Sequence, residues 1–580
     1  MTTYTYSSLS DAVVTLPPPT AEIFSTSDQL IFDDTSISAS ELTLTIVGAG
    51  LEIKAGAKTI TLRGFTQSKI TSANFTFADS SKLIIGDNKE ATTNDDSLVV
   101  GNMLIGTNFD DYMDGMKGID TVSYAKAWSA VKVNLAAQTA TGGAGTDVLK
   151  NIENVIGSNF NDNLTGVGTG SRLDGGMGID TLTGAGGNDT YLITAGDVVT
   201  DSGGIDTVIS NIDYVLATGL ENLILRTGAL VGIGNSAVNK LTGNSSDNVL
   251  DGGAGADVLV GLAGNDIYMV DDPNDTILEK GAGRDMVYST VTFSLNGTGV
   301  NNVEELRLTG TADINGSGNA LNNTIYANSG SNILNGDIGE DTLSYQFGAI
   351  SGVTVKLDDA SPQTTGGSGN DTIYAFENLI GSHYEDALTG DLRNNKLTGG
   401  EGKDSLTGVL GNDTLDGGLG NDLLDGGEGD DVIIGGAGQD SVTTGAGNDI
   451  IKFVGIADTA CTTTSIAGVD LYGDLSLNNG SEDRINLKVK VTAVVANPLA
   501  GELNELTFVD NMNALLSSST GFKNSSGGID AAIVTASSGD LTTRAFLAVD
   551  LDRTDTFTAT DFVIEVTGSI ITSLTTATFI

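Results

Sequence analysis

Aspartate recurs at a fixed nine-residue interval in the most regular part of the sequence. Between Gly399 and Lys452 each of these recurring aspartates follows a glycine-rich turn and precedes a pair such as SL, TL, LL or VI, so one unit reads Gly-Gly-x-Gly-x-Asp-x-aliphatic-x. The aspartates that recur nine residues apart in this block are Asp404, Asp413, Asp422, Asp431, Asp440 and Asp449. Carboxylates and the carbonyls that glycine leaves accessible are oxygen ligands, which suit calcium. The spacing therefore predicts a series of calcium sites.

The same frame returns, less regularly, earlier in the chain. Further predicted metal ligands are Asp111, Asp120, Asp162, Asp180, Asp189, Asp257, Asp266, Asp341 and Asp386. Other units replace the aspartate, at Ser171, Asn239, Asn248, Asn323, Asn332 and Asn395. These replacements preserve the turn and remove the charge.

Such carboxylates need a strand and a turn to hold them in register. The glycines allow positive φ, so six residues of a unit can form a tight turn, and the other three are extended with the aliphatic side chain on one side. Alternate units then form opposite edges of a flattened coil, which predicts stacking of residues 18 apart. One column would hold Asp404, Asp422 and Asp440, and the other Asp413, Asp431 and Asp449. The predicted inward core is Leu406, Leu415, Leu424, Ile433, Val442 and Ile451.

Electrostatics makes these columns depend on a cation. Neighbouring turns of a parallel sheet lie about 4.8 Å apart, and two carboxylates at that spacing repel by roughly 3 to 4 kcal/mol at an effective dielectric near 20. Calcium accepts six or more oxygens at flexible distances, whereas magnesium demands a tighter octahedron. Zinc prefers His or Cys, and the chain has one of each. We therefore predict that the repeats are largely unfolded without calcium.

Charge and composition exclude several other classes of protein. The 580 residues carry a formal charge of -48 with a pI near 4.1, which disfavours binding to nucleic acid or to anionic membrane surfaces. Neutralising that charge would take at most about 24 divalent ions. No apolar run is long enough for a transmembrane helix. Cys461 is the single cysteine, so an intrachain disulfide and a thiolate metal cluster are both excluded.

The pattern along the chain predicts an all-β protein of three parts. Residues 1–92 contain short alternating strands, such as Leu42–Val47 and Lys58–Phe65, and form a β-rich amino-terminal domain. Residues 93–452 form the repeat solenoid, in which segments such as NDTYLI and NDIYMV recur 77 residues apart. Segments containing Glu-Asn or Glu-Glu, as at Glu221 and Glu304, interrupt it. Residues 453–580 form a β-rich cap.

The nonapeptides closely resemble the RTX family of calcium-binding repeats. The resemblance implies a right-handed parallel β-roll with calcium held between turns by the aspartates and turn carbonyls. It also implies export from a Gram-negative bacterium by type I machinery that reads an uncleaved carboxyl-terminal signal. The amino terminus predicts no cleavable export signal, and residues 554–580, free of Lys and Arg, could be that signal, a closing strand, or both.

A separate acidic segment near the carboxyl end has two interpretations. Asp550, Asp552 and Asp561 have a spacing that partly resembles an EF-hand loop, but the sixth and twelfth positions of the loop depart from that pattern. They are either a further calcium site or an acidic surface turn.

Residues for catalysis are scarce, and we predict that the protein is not an enzyme. His383 is the single histidine, which excludes an HExxH zinc site, and the sequence has no GxSxG elbow and no P-loop. His383 lies inside a repeat, where a surface turn explains it.

Three functions fit these observations. The first is an extracellular, calcium-assembled structural protein that forms or joins an S-layer-like array at the cell surface. The second is a calcium-dependent adhesin, in which residues 1–92 bind a cell-surface glycan or another partner. The third is an accessory chain of a polysaccharide-acting enzyme, since paired carboxylates occur throughout.

Overall fold

The computed structural model describes most of the chain up to residue 452 and short strands beyond it. The described ranges are 2–9, 13–16, 24, 28–48, 50–65, 74–85, 103–297, 299–452, 470–472, 484–486, 491–494, 499–502, 529–538, 544–550 and 562–566. The chain divides into two compact units, Met1–Gly283 and Arg284–Ile580. The protein is all-β, and its parallel strands form a β-solenoid, as predicted. In the described ranges, helix is confined to the 3-10 turns Tyr6–Ser8 and Ala39–Glu41.

The amino-terminal region contains two small sheets around an aromatic core. The parallel sheet holds Thr3–Thr5, Gln29–Phe32 and Phe75–Phe77. The other holds Val13–Leu16, Lys58–Leu62, Gly50–Ala55 and Thr43–Val47. The side chains of Phe24, Phe32 and Phe65 are fully buried, and Leu83 and Tyr112 from the start of the solenoid belong to the same core.

The solenoid of the first unit is built from short strands, mostly of three or four residues. They are Leu83–Ile85, Met103–Ile105, Tyr112–Asp114, Thr121–Ser123, Val131–Asn134, Thr139–Gly142, Gly145–Lys150, Asn154–Ile156, Asn163–Thr165, Arg172–Asp174, Thr181–Thr183, Thr190–Ile193, Val198–Thr200, Thr207–Ser210, Tyr214–Val215, Asn222–Leu225, Val231–Ile233, Lys240–Thr242, Val249–Asp251, Val258–Val260, Ile267–Val270 and Thr276–Ile277.

The second unit continues the same pattern and adds longer strands in its most regular part. Its solenoid strands are Met286–Ser289, Phe293–Ser294, Glu305–Leu308, Gly316–Ser317, Thr324–Tyr326, Ile333–Asn335, Thr342–Ser344, Thr354–Lys356, Gln363–Gly366, Gly369–Tyr374, Asn378–Ile380, Ala387–Thr389, Lys396–Glu401, Ser405–Leu410, Thr414–Leu419, Leu423–Glu428, Val432–Ala437, Ser441–Thr443 and Ile450–Lys452. The carboxyl-terminal strands are Asp470–Tyr472, Arg484–Asn486, Val491–Val494, Leu499–Glu502, Ile529–Ser538, Ala545–Asp550 and Phe562–Glu565.

Strands pair with the strand after next, which confirms the predicted 18-residue register. Leu406 pairs with Leu424 in one sheet, and Leu415 pairs with Ile433 in the other. All six aliphatic residues of the predicted core are at most 1% exposed. The turns need glycine because Gly418 and Gly420 have φ values of +99° and +147°, and a Cβ on Gly420 would lie 1.4 Å from the carbonyl oxygen of Gly402.

Two antiparallel hairpins interrupt the parallel stacking. In the first unit, Thr139–Gly142 pairs with both Val131–Asn134 and Gly145–Lys150. In the second unit, Gln363–Gly366 pairs with Gly369–Tyr374. Each hairpin lies between a tyrosine that follows a solenoid strand, Tyr124 or Tyr345, and a Glu-Asn turn, so these irregular segments are insertions in the stack of their own unit.

The described helical segments are far too short to cross a lipid bilayer.

Candidate metal sites

The nonapeptide aspartates stack in two buried columns, as the spacing predicted. In one column the backbone N–H of Asp386 donates to Oδ1 of Asp404 at 2.7 Å, and the N–H of Asp404 donates to Oδ1 of Asp422 at 2.8 Å. In the other column Asp413 and Asp431 are joined in the same way at 2.7 Å. All of these side chains are at most 3% exposed. We call each nine-residue unit in a column a rung. Oδ1 of Asp404, Asp422 and Asp431 thus accepts the backbone N–H of the rung 18 residues earlier, and this ladder of hydrogen bonds was not predicted from the repeat.

The second carboxylate oxygen of these residues has no such support. Oδ2 of Asp404, Asp413, Asp422 and Asp431 is buried, and within the described part of the chain no group donates a hydrogen bond to it. A buried ionised oxygen without a donor or a cation is costly. These four oxygens are therefore positions that call for a positive charge.

Glycine keeps open the space beside each of these oxygens. A Cβ on Gly408 would lie 2.3 Å from Oδ2 of Asp413 and 2.3 Å from the carbonyl oxygen of Gly426. A Cβ on Gly417 would lie 2.6 Å from Oδ2 of Asp422 and 2.4 Å from the carbonyl oxygen of Gly435. The first glycine of the unit therefore borders a small space lined by a carboxylate and a carbonyl, and any side chain there would fill it.

Burial shifts the titration of these carboxylates upward. Desolvation raises the pKa of Asp404 to about 7, and the charges of Asp386 and Asp422 add to that shift. Desolvation likewise raises the pKa of Asp413 and of Asp431 to about 6. The hydrogen bond from the preceding backbone N–H opposes each shift. The column therefore resists carrying its full negative charge unless a cation compensates it.

Several earlier aspartates occupy equivalent positions. Asp180, Asp257 and Asp341 are buried, and each Oδ1 accepts a backbone N–H, from Asp162, Asn239 and Asn323 respectively, at 2.7 Å. Their Oδ2 atoms also accept no hydrogen bond from the described residues. Asp120 and Asp266 are likewise buried, at 0% and 1% exposure.

Three of the predicted ligands have both oxygens occupied by the protein. Oδ2 of Asp386 accepts the backbone N–H of Ser382, and Oδ1 accepts the N–H of Val353 and the Ser382 hydroxyl. Ser158 donates its backbone N–H and its hydroxyl hydrogen to the carboxylate of Asp162, and Thr107 does the same to that of Asp111. Ser or Thr replaces the second glycine of the unit in all three cases. That replacement is a sequence signal that distinguishes these rungs, and the sequence reasoning overlooked it.

Four of the five asparagine rungs, all except Asn395, have a second asparagine four residues earlier, and the two amides donate to backbone carbonyls. Nδ2 of Asn235 donates to the carbonyl oxygens of Ala217 and Leu220 at 2.9 and 2.7 Å. Nδ2 of Asn239 donates to the carbonyl oxygens of Leu220 and Glu221 at 3.1 and 3.2 Å. The same arrangement occurs at Asn244 and Asn248, at Asn319 and Asn323, and at Asn328 and Asn332. The side-chain amides of these asparagines therefore donate hydrogen bonds between rungs, which an ionised aspartate cannot do.

A glutamate takes over the acceptor position at the Glu-Asn and Glu-Glu turns. Oε2 of Glu153 accepts the backbone N–H of Asp120 at 2.8 Å, and Oε2 of Glu221 accepts that of Asp206 at 2.8 Å. In the second unit Glu377 accepts the N–H of Asp341 at 2.8 Å. In these turns, glutamate Oε2 accepts the backbone N–H that aspartate Oδ1 accepts in a regular rung.

Asp189 belongs to a cluster that differs from the regular rungs. One carboxylate oxygen each from Asp189, Asp201 and Asp206 lies within 4.8 Å of the others. Desolvation raises the pKa of Asp189 to about 7 and that of Asp206 to about 6, and the charge of Asp201 adds to both shifts. Asp201 and Asp206 were not among the predicted ligands: Asp201 lies outside the nonapeptide frame, and Asp206 follows Asp189 by 17 residues instead of 18.

The remaining predicted residues lie apart from the columns or outside the described part. Asp550 ends the strand Ala545–Asp550, whereas Asp552, Asp561 and Cys461 lie outside the described residues. The exposed imidazole of His383 has its Nδ1 atom 3.9 Å from Oε2 of Glu401. The structure therefore leaves the EF-hand-like interpretation of the acidic segment as a prediction.

The donor set of the columns fits calcium. It consists of buried carboxylate oxygens and backbone carbonyls, which are hard ligands of the kind that calcium binds and that zinc sites lack. The family model of the RTX calcium-binding nonapeptide repeat matches residues 233–268, 317–349, 365–377, 381–415, 389–424 and 416–451. No curated protein matches the chain. The chain therefore contains RTX calcium-binding nonapeptide repeats, and its parallel strands are stacked as a β-solenoid.

Proposed function

We propose that the protein is a secreted structural protein whose solenoid folds as calcium binds and which contributes to an ordered layer on a Gram-negative cell surface. The observation that carries the proposal is the set of buried Oδ2 atoms at Asp404, Asp413, Asp422 and Asp431, which no described group satisfies. Because calcium would bind the folded columns and not the dispersed aspartates of an unfolded chain, its binding free energy would become folding free energy.

The ligands in this proposal are the Oδ2 atoms and the turn carbonyls beside them. In the regular block these include Asp413 with the carbonyl of Gly426, and Asp422 with that of Gly435. Calcium supplies positive charge there; the chain supplies the register, through the Oδ1 ladder and the buried aliphatic core. Asp180, Asp257 and Asp341 have the same open oxygen and are proposed ligands on the same ground.

Secretion fits this chemistry. A chain with a formal charge of -48 that folds only when calcium is plentiful would stay unfolded where calcium is scarce, and would fold after passage to the outside. Export by type I machinery is the route that the family resemblance implies. The segment that would carry the signal, residues 554–580, lies largely outside the described residues.

Self-assembly is supported by apolar side chains on the surface. Trp128, Met177, Ile350 and Leu392 are between 69% and 74% exposed. Once calcium reduces the repulsion between acidic copies, such side chains could bury area against a neighbouring copy.

The alternative is a calcium-dependent adhesin, and the core of the amino-terminal region favours it. Phe24, Phe32 and Phe65 bury fully among the strands of residues 3–77. A region with its own aromatic core can present a binding surface at one end of a solenoid, so glycan recognition by residues 1–92 is the second candidate.

A calcium titration followed by circular dichroism and light scattering tests the proposal. We expect the β-signal to rise with calcium first and the scattering to rise afterwards as copies associate. Saturating calcium should stabilise Asp413→Asn less than it stabilises Asp430→Asn, which removes the same charge from an exposed neighbour. A β-signal indifferent to a strong chelator would refute calcium-dependent folding. Full-length protein that stays monomeric at high calcium and concentration, yet binds cell-surface glycans, would favour the adhesin instead.

A further inference from the structure

The cluster of Asp189, Asp201 and Asp206 is built differently from every nonapeptide rung described above. In a regular rung one carboxylate oxygen meets backbone carbonyls, whereas here three carboxylates converge within 4.8 Å. Asp189 and Asp206 are 1% and 0% exposed, and the Oδ2 atom of each accepts no hydrogen bond from the described residues. Two buried, unpartnered oxygens therefore point into the same small space.

Each carboxylate is fixed by a separate contact. Oδ1 of Asp206 accepts the backbone N–H of Asp189 at 2.7 Å, which keeps the two residues in register. Asp201 comes from the turn after the strand Val198–Thr200, and its Oδ2 accepts the hydroxyl hydrogen of Tyr191. Its other oxygen accepts the N–H of Gly203 at 2.6 Å. Tyr191 is fully buried, so it holds Asp201 at a set position.

The surroundings leave the space to a cation. In the described part of the chain, no lysine, arginine or histidine forms an ion pair with these three acids. A Cβ on Gly184 would lie 1.9 Å from Oδ2 of Asp201 and 2.6 Å from Oδ2 of Asp189, so only glycine keeps the space open. Asp201 is half-buried, and the following residues 202–205 are exposed, which gives an ion a path from solvent.

The same arrangement recurs 77 residues later. Tyr268 donates its hydroxyl hydrogen to Oε2 of Glu279 at 2.5 Å, and a Cβ on Gly261 would lie 2.3 Å from Oδ2 of Asp266 and 2.8 Å from that Oε2. Glu279 thus corresponds to Asp201, and Tyr268 to Tyr191. The repetition indicates a defined motif, in which a tyrosine in a rung strand orients an acid from the following turn.

We propose that Asp189, Asp201 and Asp206 form a second kind of hard-cation site, oriented by Tyr191, which binds calcium before the regular rungs fill. Three converging carboxylates carry more negative charge than one carboxylate with carbonyls, and in calcium sites the affinity rises with ligand charge and rigidity. Tyr191 is a positioning residue because it acts through Asp201. The proposal does not depend on surface-layer assembly.

Terbium, a hard trivalent ion with oxygen ligands, can report on this site because a neighbouring tyrosine sensitises its emission. The experiment titrates terbium into the full-length, chelator-treated protein in a Tyr268→Phe background, which silences the sister motif, and follows emission on tyrosine excitation. We expect sensitised emission from the first equivalents. Asp201→Asn should weaken that first binding by at least about tenfold, and Tyr191→Phe should remove most of the emission and weaken binding by about tenfold.

Asp358→Asn is the matched control, since it removes one carboxylate from an exposed position in the second unit. Early emission that persists in Tyr191→Phe, or Asp201→Asn titrations identical to Asp358→Asn, would overturn the proposal. If Asp201→Asn perturbs folding, Tyr191→Phe still decides, because it keeps all three carboxylates. Circular dichroism of the same samples separates this outcome from the general proposal: folding on cation addition without the early emission contradicts only the second kind of site.

Discussion

The regular block from Asp404 to Asp449 and the asparagine rungs around Asn323 solve the same stacking problem in different ways. Both place one side-chain oxygen on a backbone N–H: Oδ1 of Asp422 accepts that of Asp404 in the preceding rung, and Oδ1 of Asn323 accepts that of Asn319 in its own unit. They differ in the second side-chain atom. Nδ2 of Asn323 donates to the carbonyl oxygens of Val303 and Glu304 at 3.1 and 3.2 Å, whereas Oδ2 of Asp404 has no hydrogen to donate.

From this difference we expect the two kinds of rung to differ in their need for calcium. Amide hydrogens join one rung to the carbonyls of another, so an asparagine rung such as that of Asn323 is satisfied by protein atoms alone. The aspartate rungs leave a buried oxygen that requires a cation or a proton. The described solenoid therefore contains rungs that the protein satisfies and rungs with an open carboxylate oxygen. The choice of Asn or Asp at the repeat position and the residue four positions earlier together set which is which.

Removal of calcium should have the largest effect and should separate the two kinds of rung. In a chelator we expect amide hydrogen exchange to accelerate across 404–449 by at least about a hundredfold more than across 319–335, because only the first stretch loses its compensating charge. Hydrogen exchange with mass spectrometry of the full-length protein measures both stretches at once, and residues 43–62 of the amino-terminal sheet serve as an internal control. Equal acceleration in both stretches would contradict the distinction.

Replacing asparagine by aspartate at one rung should make the stability of the protein more dependent on calcium. Asn239→Asp removes the amide donors to Leu220 and Glu221 and adds a buried charge, so we expect the free energy of unfolding in chelator to fall by about 3 kcal/mol. Calcium should restore most of that loss. The measurement is denaturant unfolding with and without calcium.

The reverse exchange, Asp413→Asn, should make the protein less dependent on calcium, because the amide can donate where the carboxylate could not. Asp430→Asn, at an exposed position, is the control for a change of net charge alone. The comparison would fail if Asn239→Asp and Asp413→Asn shifted the calcium dependence in the same direction.

Acid should produce the smallest effect, a partial substitute for calcium in the aspartate columns. The folded-state pKa of Asp404 is about 7 and those of Asp413 and Asp431 are about 6, all above the ordinary value of 3.8. Between about pH 4 and pH 7 the folded state therefore binds more protons than the unfolded state. Because those protons are lost as the pH rises through this range, the free energy of unfolding falls. In chelator, the β-signal should be stronger at pH 5 than at pH 8.

The same shifts predict the opposite trend for calcium itself. Because protons and calcium compete for the same oxygens, the calcium concentration needed for folding should increase as the pH falls below about 6. Paired circular dichroism titrations, with calcium and with chelator, check both signs. A chelated protein that loses β-signal on acidification from pH 8 to pH 5 would count against protonation as the substitute.

Much of the solenoid could be predicted because its repeat encodes geometry directly. The nine-residue period, the glycines and the aliphatic residue after each aspartate require two strands per turn, and the observed pairing of Leu406 with Leu424 follows. Burial of the six predicted core residues follows from the same alternation. The amino-terminal strands could also be predicted, since polar and apolar residues alternate along most of LTLTIV and KTITL.

The atomic support of each carboxylate could not be predicted from the period. Aspartates with the same spacing have different partners: Ser382 occupies both oxygens of Asp386, while Asp404, one rung later, keeps an open Oδ2. The identity of the residue four positions earlier decides this, and its consequence appears only when side chain and backbone are placed together. Glu153 and Glu377 likewise looked like interruptions because their contacts lie 33 and 36 residues away.

By itself, then, the sequence determined the all-β repeat, its two columns and the preference for calcium, because local periodicity and oxygen-rich composition are properties of short segments. The tertiary structure alone decided which oxygens are left without a donor. That outcome depends on hydrogen bonds between rungs and on acids such as Asp201, which reach a rung from turns outside the nine-residue frame. Contacts of this kind are set by three-dimensional packing, which no single period encodes.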